Sequence, residues 1–214
     1  MDPRSRRFLN VFAAALALAA LAAPGRAQAP RMAPDFYMTV AVAGFERPME
    51  VRQSGLKRRT DVATGAVVQT FISDRARGVL TVMTAAGRRR LAVLFPLPQQ
   101  EVNAPLPLDM SMFADARLNR LGAANVAGRP CTVWRYSGYV GSNGTACATA
   151  DGVVLQFKPD GRRTPLFQAT AITFARQDST WFNVPPDYQM AVLPGMGGAA
   201  PALRAPAAPA VPAR

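Results

Sequence analysis

No histidine occurs anywhere in the 214 residues, and only two cysteines do. The first absence removes histidine general-base chemistry, the serine and cysteine triads and most zinc sites. Lysine is nearly missing as well: Lys57 and Lys158 stand alone, both in strand or turn patterns, so a serine–lysine nucleophile has little to draw on. Acidic side chains number 13 against 25 basic ones, a formal charge of +12 that is almost wholly arginine. That balance excludes an acidic disordered chain, and with the alanine and proline excess it matches a GC-rich coding sequence. Asp74, Asp109, Asp115, Asp151 and Asp178 are scattered and read as turn, cap or surface residues. We therefore expect no catalytic residues, no metal site and no cofactor.

The two ends of the chain differ from its middle. Arg4, Arg6 and Arg7 precede an almost unbroken apolar run from Phe8 to Ala23, followed by Pro24, Gly25 and small residues. This predicts a cleaved signal peptide over 1–27, cut after Ala27, because about sixteen apolar residues are short for a membrane span. No cysteine follows the run, which excludes lipoprotein modification, and Ser5–Leu9 is a poor match to a twin-arginine signal. Residues 1–27 hold four of the arginines and one aspartate, so the mature chain keeps 21 basic against 12 acidic side chains. Export to the periplasm, with nucleic acid excluded as a partner, follows from this reading. From Met190 to Arg214 the chain is mostly alanine, proline and glycine, and is expected to be a disordered tail.

Between these ends lies one domain, 28–189. Phe36–Val42, Pro48–Gln53, Leu56–Val62, Ala66–Ser73, Val79–Thr84 and Arg88–Phe95 read as six strands separated by glycine-containing turns. Their connections are too short to cross over, which predicts an antiparallel meander. After a proline-rich stretch, Leu108, Met112, Phe113, Ala116, Leu118 and Leu121 fit helical spacing, and a helix is expected over Ser111–Leu121. Arg129–Ser137, Thr145–Ala150, Val153–Lys158 and Pro165–Arg176 complete a set of about ten strands, with Asp151-Gly152 as a hairpin turn and Trp181–Tyr188 closing the domain. A sheet of that size must curl.

Cys131 and Cys147 flank a glycine-rich turn, and a hairpin about Tyr139 would set them face to face. In an exported chain such a pair predicts a structural disulfide rather than a redox couple, which would place its cysteines two residues apart at a helix start.

Three segments carry a resemblance. They are Leu121-Gly122 through Val126–Trp134, Gly144–Leu155, and Phe182-Asn183-Val184-Pro185-Pro186-Asp187-Tyr188. Together they resemble the DUF4412 family of exported bacterial proteins, relatives of the LolA/LolB lipoprotein carriers. The resemblance covers about Phe36–Tyr188 and implies an α+β, mainly antiparallel fold: a curled, unclosed half-barrel with one or two covering helices over an apolar concave face. It departs from the LolA pattern in lacking a long N-terminal helix and an aromatic residue after Arg58-Arg59, and in having the cysteine hairpin.

In carriers of that shape the concavity takes up acyl chains. On this reading a lipid, lipoprotein acyl chain or other amphiphile would be held by Met38, Met49, Phe71, Met83, Met112 and Phe113, with Arg58 and Arg59 near the rim meeting an anionic head. The same residues also suit an ordinary packed core. The competing expectation is a non-catalytic envelope module that binds a protein partner through an edge strand or the tail. A monomer is expected in either case.

Overall fold

The computed structural model of the chain describes residues 33–97 and 106–192. The expected signal peptide with its cut at Ala27, and all of the tail beyond Val192, lie outside these residues. The described strands are β1 (Phe36–Val42), β2 (Met49–Ser54), β3 (Lys57–Thr64), β4 (Val67–Asp74), β5 (Val79–Ala86), β6 (Arg89–Pro96), β7 (Arg117–Val126), β8 (Arg129–Tyr139), β9 (Ser142–Ala148), β10 (Val154–Pro159), β11 (Phe167–Phe174) and β12 (Gln189–Val192). They form one sheet in the order β12-β6-β5-β4-β3-β2-β1-β11-β10-β9-β8-β7, with every neighbouring pair antiparallel except β12 beside β6. The ends of this order, β12 and β7, do not pair, so the sheet is unclosed. It curls enough that β7 returns to contact β11, and the guanidinium of Arg129, the first residue of β8, lies 5.6 Å from the centre of the Phe174 ring on β11.

The six-strand meander is present with boundaries within two residues of those expected. Two expectations need correction. The helix over Ser111–Leu121 is instead a single 3-10 turn, Met110–Phe113, followed by β7. A bulge between Arg120 and Gly122 shifts the alternation of β7, so Leu118 and Leu121 stand three apart as they would on a helix. Pairing with β8 satisfies one side of this segment's backbone along its length, and the other side is a sheet edge. The expected tail also begins too early, since Met190, Ala191 and Val192 pair with Ala92, Val93 and Leu94.

Directly paired residues share a face of a sheet, so the register sorts the side chains. One face, here called inner, carries three cross-strand rows over β1 to β6. The first is Phe36, Gln53, Arg58, Ser73, Leu80 and Phe95; the second Met38, Val51, Thr60, Phe71, Val82 and Val93; the third Val40, Met49, Val62, Gln69, Thr84 and Leu91. Burial follows the inner face through β1, β2 and β3 and then changes sides. On β4 to β6 the buried residues are Thr70, Ile72, Met83 and Ala92, all on the outer face.

Each half has its own cover. The inner face of the first half is filled by the segment 106–116, whose Leu106, Leu108 and Phe113 are buried. Asp109 caps the 3-10 turn by accepting from Ser111 N at 2.8 Å, and the segment is stitched to the β9–β10 turn by Met110 N to Gly152 O and Val154 N to Leu108 O, both 2.9 Å. The Phe113 ring meets Tyr139 at 4.4 Å and Tyr136 at 5.4 Å, and Tyr136 stacks on Phe157 at 5.1 Å. The outer face of β4 to β6 is covered by Phe182, Val184 and Tyr188 from the segment between β11 and β12.

Cys131 and Cys147 are joined, but not as a directly opposed pair. Cys147 lies opposite Val133, and Cys131 lies opposite Ala124 on β7. A shift between Ser137 and Tyr139 moves the register by one, and the hairpin turns at Val140-Gly141 rather than about Tyr139. The bridge is therefore diagonal across β8 and β9, with both cysteines buried.

Two outcomes follow. Replacing both cysteines with alanine lowers the unfolding free energy by about 3 kcal/mol in the chain-entropy account of a loop this size, read by urea denaturation; an unchanged midpoint would refute a structural role. A Cβ at Gly144 would run into the Lys158 carbonyl and the Tyr136 phenol, so Gly144→Ala destabilises by about 1–3 kcal/mol, whereas an exposed glycine-to-alanine change in a strand would stabilise slightly.

Candidate interaction surface

The structure divides the expected amphiphile-binding residues into two groups. Met38, Met49, Phe71, Phe113 and Arg58 belong to the inner side of the sheet, and Met112 packs beside Phe113. Met83 and Arg59 lie on the outer face. Met38, Met49 and Phe113 are buried against one another's neighbours in the main core, and Met83 is buried under Phe182 in the second cluster. Phe71 and Met112 are half-buried at the margin of the main core. These residues do not converge on one hollow. What the alternation of apolar residues could not reveal is the change of buried face between β3 and β4, because each strand alone shows a normal pattern.

The change of face is built around Asp61. Its carboxylate accepts from Arg59 Nε at 2.8 Å, from Thr70 Oγ1 at 2.5 Å and from Arg52 Nη1 at 3.5 Å. Arg52 also pairs with Glu50 at 3.0 Å and lies between two rings, 4.5 Å from the centre of Tyr37 and 4.1 Å from that of Trp181. Arg59 donates to the Trp181 carbonyl at 2.9 Å. A planar guanidinium that stacks on a ring while its edge donates to a carboxylate is a role lysine cannot fill. The start of the covering segment is fixed by Asp178, which accepts from Thr180 N and Thr180 Oγ1 at 2.8 Å each. The backbone bond, then the hydroxyl bond, hold its carboxyl below the usual carboxylate range. Further on, Arg90 pairs with Asp187 and lies 5.9 Å from the Tyr188 ring centre. Arg59 and Arg90 are thus committed to holding this strap. Burial, and secondarily Glu50, raises the Tyr37 phenol above its ordinary value.

With the strap on the outer side, the inner side of β4 to β6 presents Phe71, Leu80, Val82, Leu91, Val93 and Phe95. All are half-buried or exposed. Among the described residues only Phe71 packs against the main core, and none of the other five joins either buried cluster. Arg58 borders this strip in the row of Leu80 and Phe95, with its Nε and Nη2 donating to the buried Gln53 Oε1 at 3.2 and 2.9 Å.

The scattered carboxylates hold turns and strands together. Asp35 accepts from Ser54 Oγ and Gly55 N, Asp74 from Arg77 N, Asp109 from Ser111 N, and Asp160 makes a two-pronged pair with Arg135 at 2.7 and 2.6 Å. Arg135 holds the Asp160 carboxyl below its ordinary value. Among the described residues no three metal-ligating side chains gather, and no helix is long and apolar enough to cross a membrane.

No known protein family matches the chain, and no curated protein is similar to it. Among solved structures it is similar to MucB in complex with MucA(peri), at 16% identity and a TM-score of 0.47 over 75% of this chain and 57% of that one. It is also similar to the MucA/MucB complex of Pseudomonas aeruginosa, at 17% identity and a TM-score of 0.47 over 74% and 58%, and to MucB alone, at 14% identity and 0.40 over 75% and 60%. The chain therefore spans less than two thirds of the length of these proteins.

The strap makes a graded forecast. Phe182→Ala opens a cavity over Ile72, Met83 and Ala92 and lowers stability by about 3 kcal/mol. Trp181→Ala, which removes a partly exposed ring from two guanidinium contacts, costs about 1 kcal/mol. Equal losses in urea titrations would contradict this arrangement.

Proposed function

We propose that the chain is an exported, non-catalytic module of the cell envelope that binds a protein partner on the inner face of β4 to β6. The observation that supports it is the strip of Leu80, Val82, Leu91, Val93 and Phe95. It forms a sheet face with cross-strand apolar rows and no described cover, on a molecule whose other half fills its own hollow with Leu108 and Phe113. Contiguous apolar surface left incompletely buried in this way is characteristic of interaction sites. The Cys131–Cys147 bridge suits an oxidising compartment, the periplasm on the signal-peptide reading.

A carrier of amphiphiles is the second reading, and the same strip is the surface that favours it. Burial of an acyl chain there would yield roughly 0.8 kcal/mol per methylene. The buried state of Met38, Met49 and Phe113 speaks for the module, since in a carrier these residues would line an open concavity.

The two readings separate in one experiment. A photo-crosslinking residue at Val93, on the strip, is expected to give a discrete protein adduct in intact cells, while the same residue at Thr170, exposed on the outer face of β11, is not. Dansylated undecanoic acid should show no saturable uptake by the purified protein. Stoichiometric uptake that also abolishes the Val93 adduct would favour the carrier, and equal adducts from both positions would remove the strip as the site.

A further inference from the structure

The antiparallel order brings a set of connections to one end of the sheet. The β1–β2 loop (residues 43–48), the β10–β11 loop (160–166) and the β8–β9 turn (140–141) all lie there. They are neighbours by direct hydrogen bonds. Ala43 N donates to Leu166 O, and Asp160 N donates to Asn143 O at the start of β9, both at 2.9 Å. The start of β7, at Arg117, sits beside the same end of β8.

Two large apolar side chains stand outward on these tips: Phe45 is 43% exposed and Val140 61%. Around them Arg47, Arg117, Arg162 and Arg163 are exposed and make no ion pair among the described residues. The acidic residues of the same tips are Glu46, Asp115 and Asp160, and the last is neutralised by Arg135. The opposite end exposes one large apolar side chain on its β2–β3 turn, Leu56 at 43%, and there Lys57 is paired with Asp74.

Val140 is the informative residue. It occupies the first position of a two-residue turn with φ 46°, followed by Gly141 at φ 71°. Such turns favour asparagine or aspartate before glycine, and a β-branched residue at positive φ is strained. Nothing in the core recovers that strain, since the side chain points into solvent. A strained valine on one tip, an exposed phenylalanine on another and arginines with no ion pair among the described residues give this end the composition of a surface that meets an anionic lipid interface: apolar groups for the headgroup–acyl boundary and cations for phosphates.

We propose that this end of the sheet docks on an anionic membrane surface, with Phe45 and Val140 entering the interface and Arg47, Arg162 and Arg163 meeting lipid phosphates. The docking is independent of the strip on β4 to β6, and leaves that face free for the partner suggested above.

The test is flotation of the full chain, as processed and purified from expressing cells, with vesicles of phosphatidylethanolamine and phosphatidylglycerol against vesicles of phosphatidylcholine. Binding is expected to the anionic vesicles and to weaken as salt rises. Phe45→Ser with Val140→Asn should weaken partitioning roughly tenfold, while Val140→Asn alone raises the thermal midpoint by relieving the turn, which separates a binding loss from a folding loss. Arg162→Gln with Arg163→Gln should remove most of the salt dependence. Leu56→Ser with Arg77→Gln, at the opposite end, should leave binding unchanged. The proposal is overturned if the unaltered chain fails to float with anionic vesicles at low salt, which would leave the tips to a protein partner, or if the two ends contribute equally.

Discussion

Burial in this protein depends on a single carboxylate at the boundary between two halves of one sheet. Asp61 gathers Arg52, Arg59 and Thr70 on the outer face, directly beside the row where Thr60 is still buried on the inner face. On one side of this line the inner face is dry; on the other, the outer face is. A polar residue at the crossing is physically apt, because neither face is fully apolar there. The hydrogen bonds that satisfy Asp61 also orient the two guanidinium groups that hold Trp181. Main core, strap and open strip all take their positions from that crossing.

The strands were legible because period-two alternation and glycine turns are local signals. The pairing of β1 to β6 followed from short connections, and the curl followed from strand number. Three features were not legible. β7 was hidden by its bulge at Leu121, which imitates helical spacing. β12 was hidden by composition, since Met190-Ala191-Val192 is too short to stand out from the alanine-rich sequence after it. The switch of buried face was hidden because it is a relation between strands: Phe71 and Ile72 are both apolar on β4, and only the pairing with Thr60 and Arg59 decides which is covered.

The same gap explains the candidate residues. Methionine and phenylalanine content identified side chains that would lie inside, and Met38, Met49, Met83 and Phe113 do. It could not say that Met83 faces the opposite way from Met38. Arg58 and Arg59 are adjacent in sequence and therefore on opposite faces by strand geometry alone. A single rim containing both was already in tension with a strand at that position. The better guide to an accessible surface proved to be what each half lacks as a cover.

The strap also bears on the order of assembly. Ile72, Met83 and Ala92 are synthesised long before Phe182 arrives to cover them, and β1 waits for β11, since Phe36 pairs with Phe174. Contacts so distant along the chain close late and slowly. A nascent molecule would therefore carry an uncapped oily sheet until its last quarter emerged, and any chaperone that met it then would find the patch that the finished protein conceals.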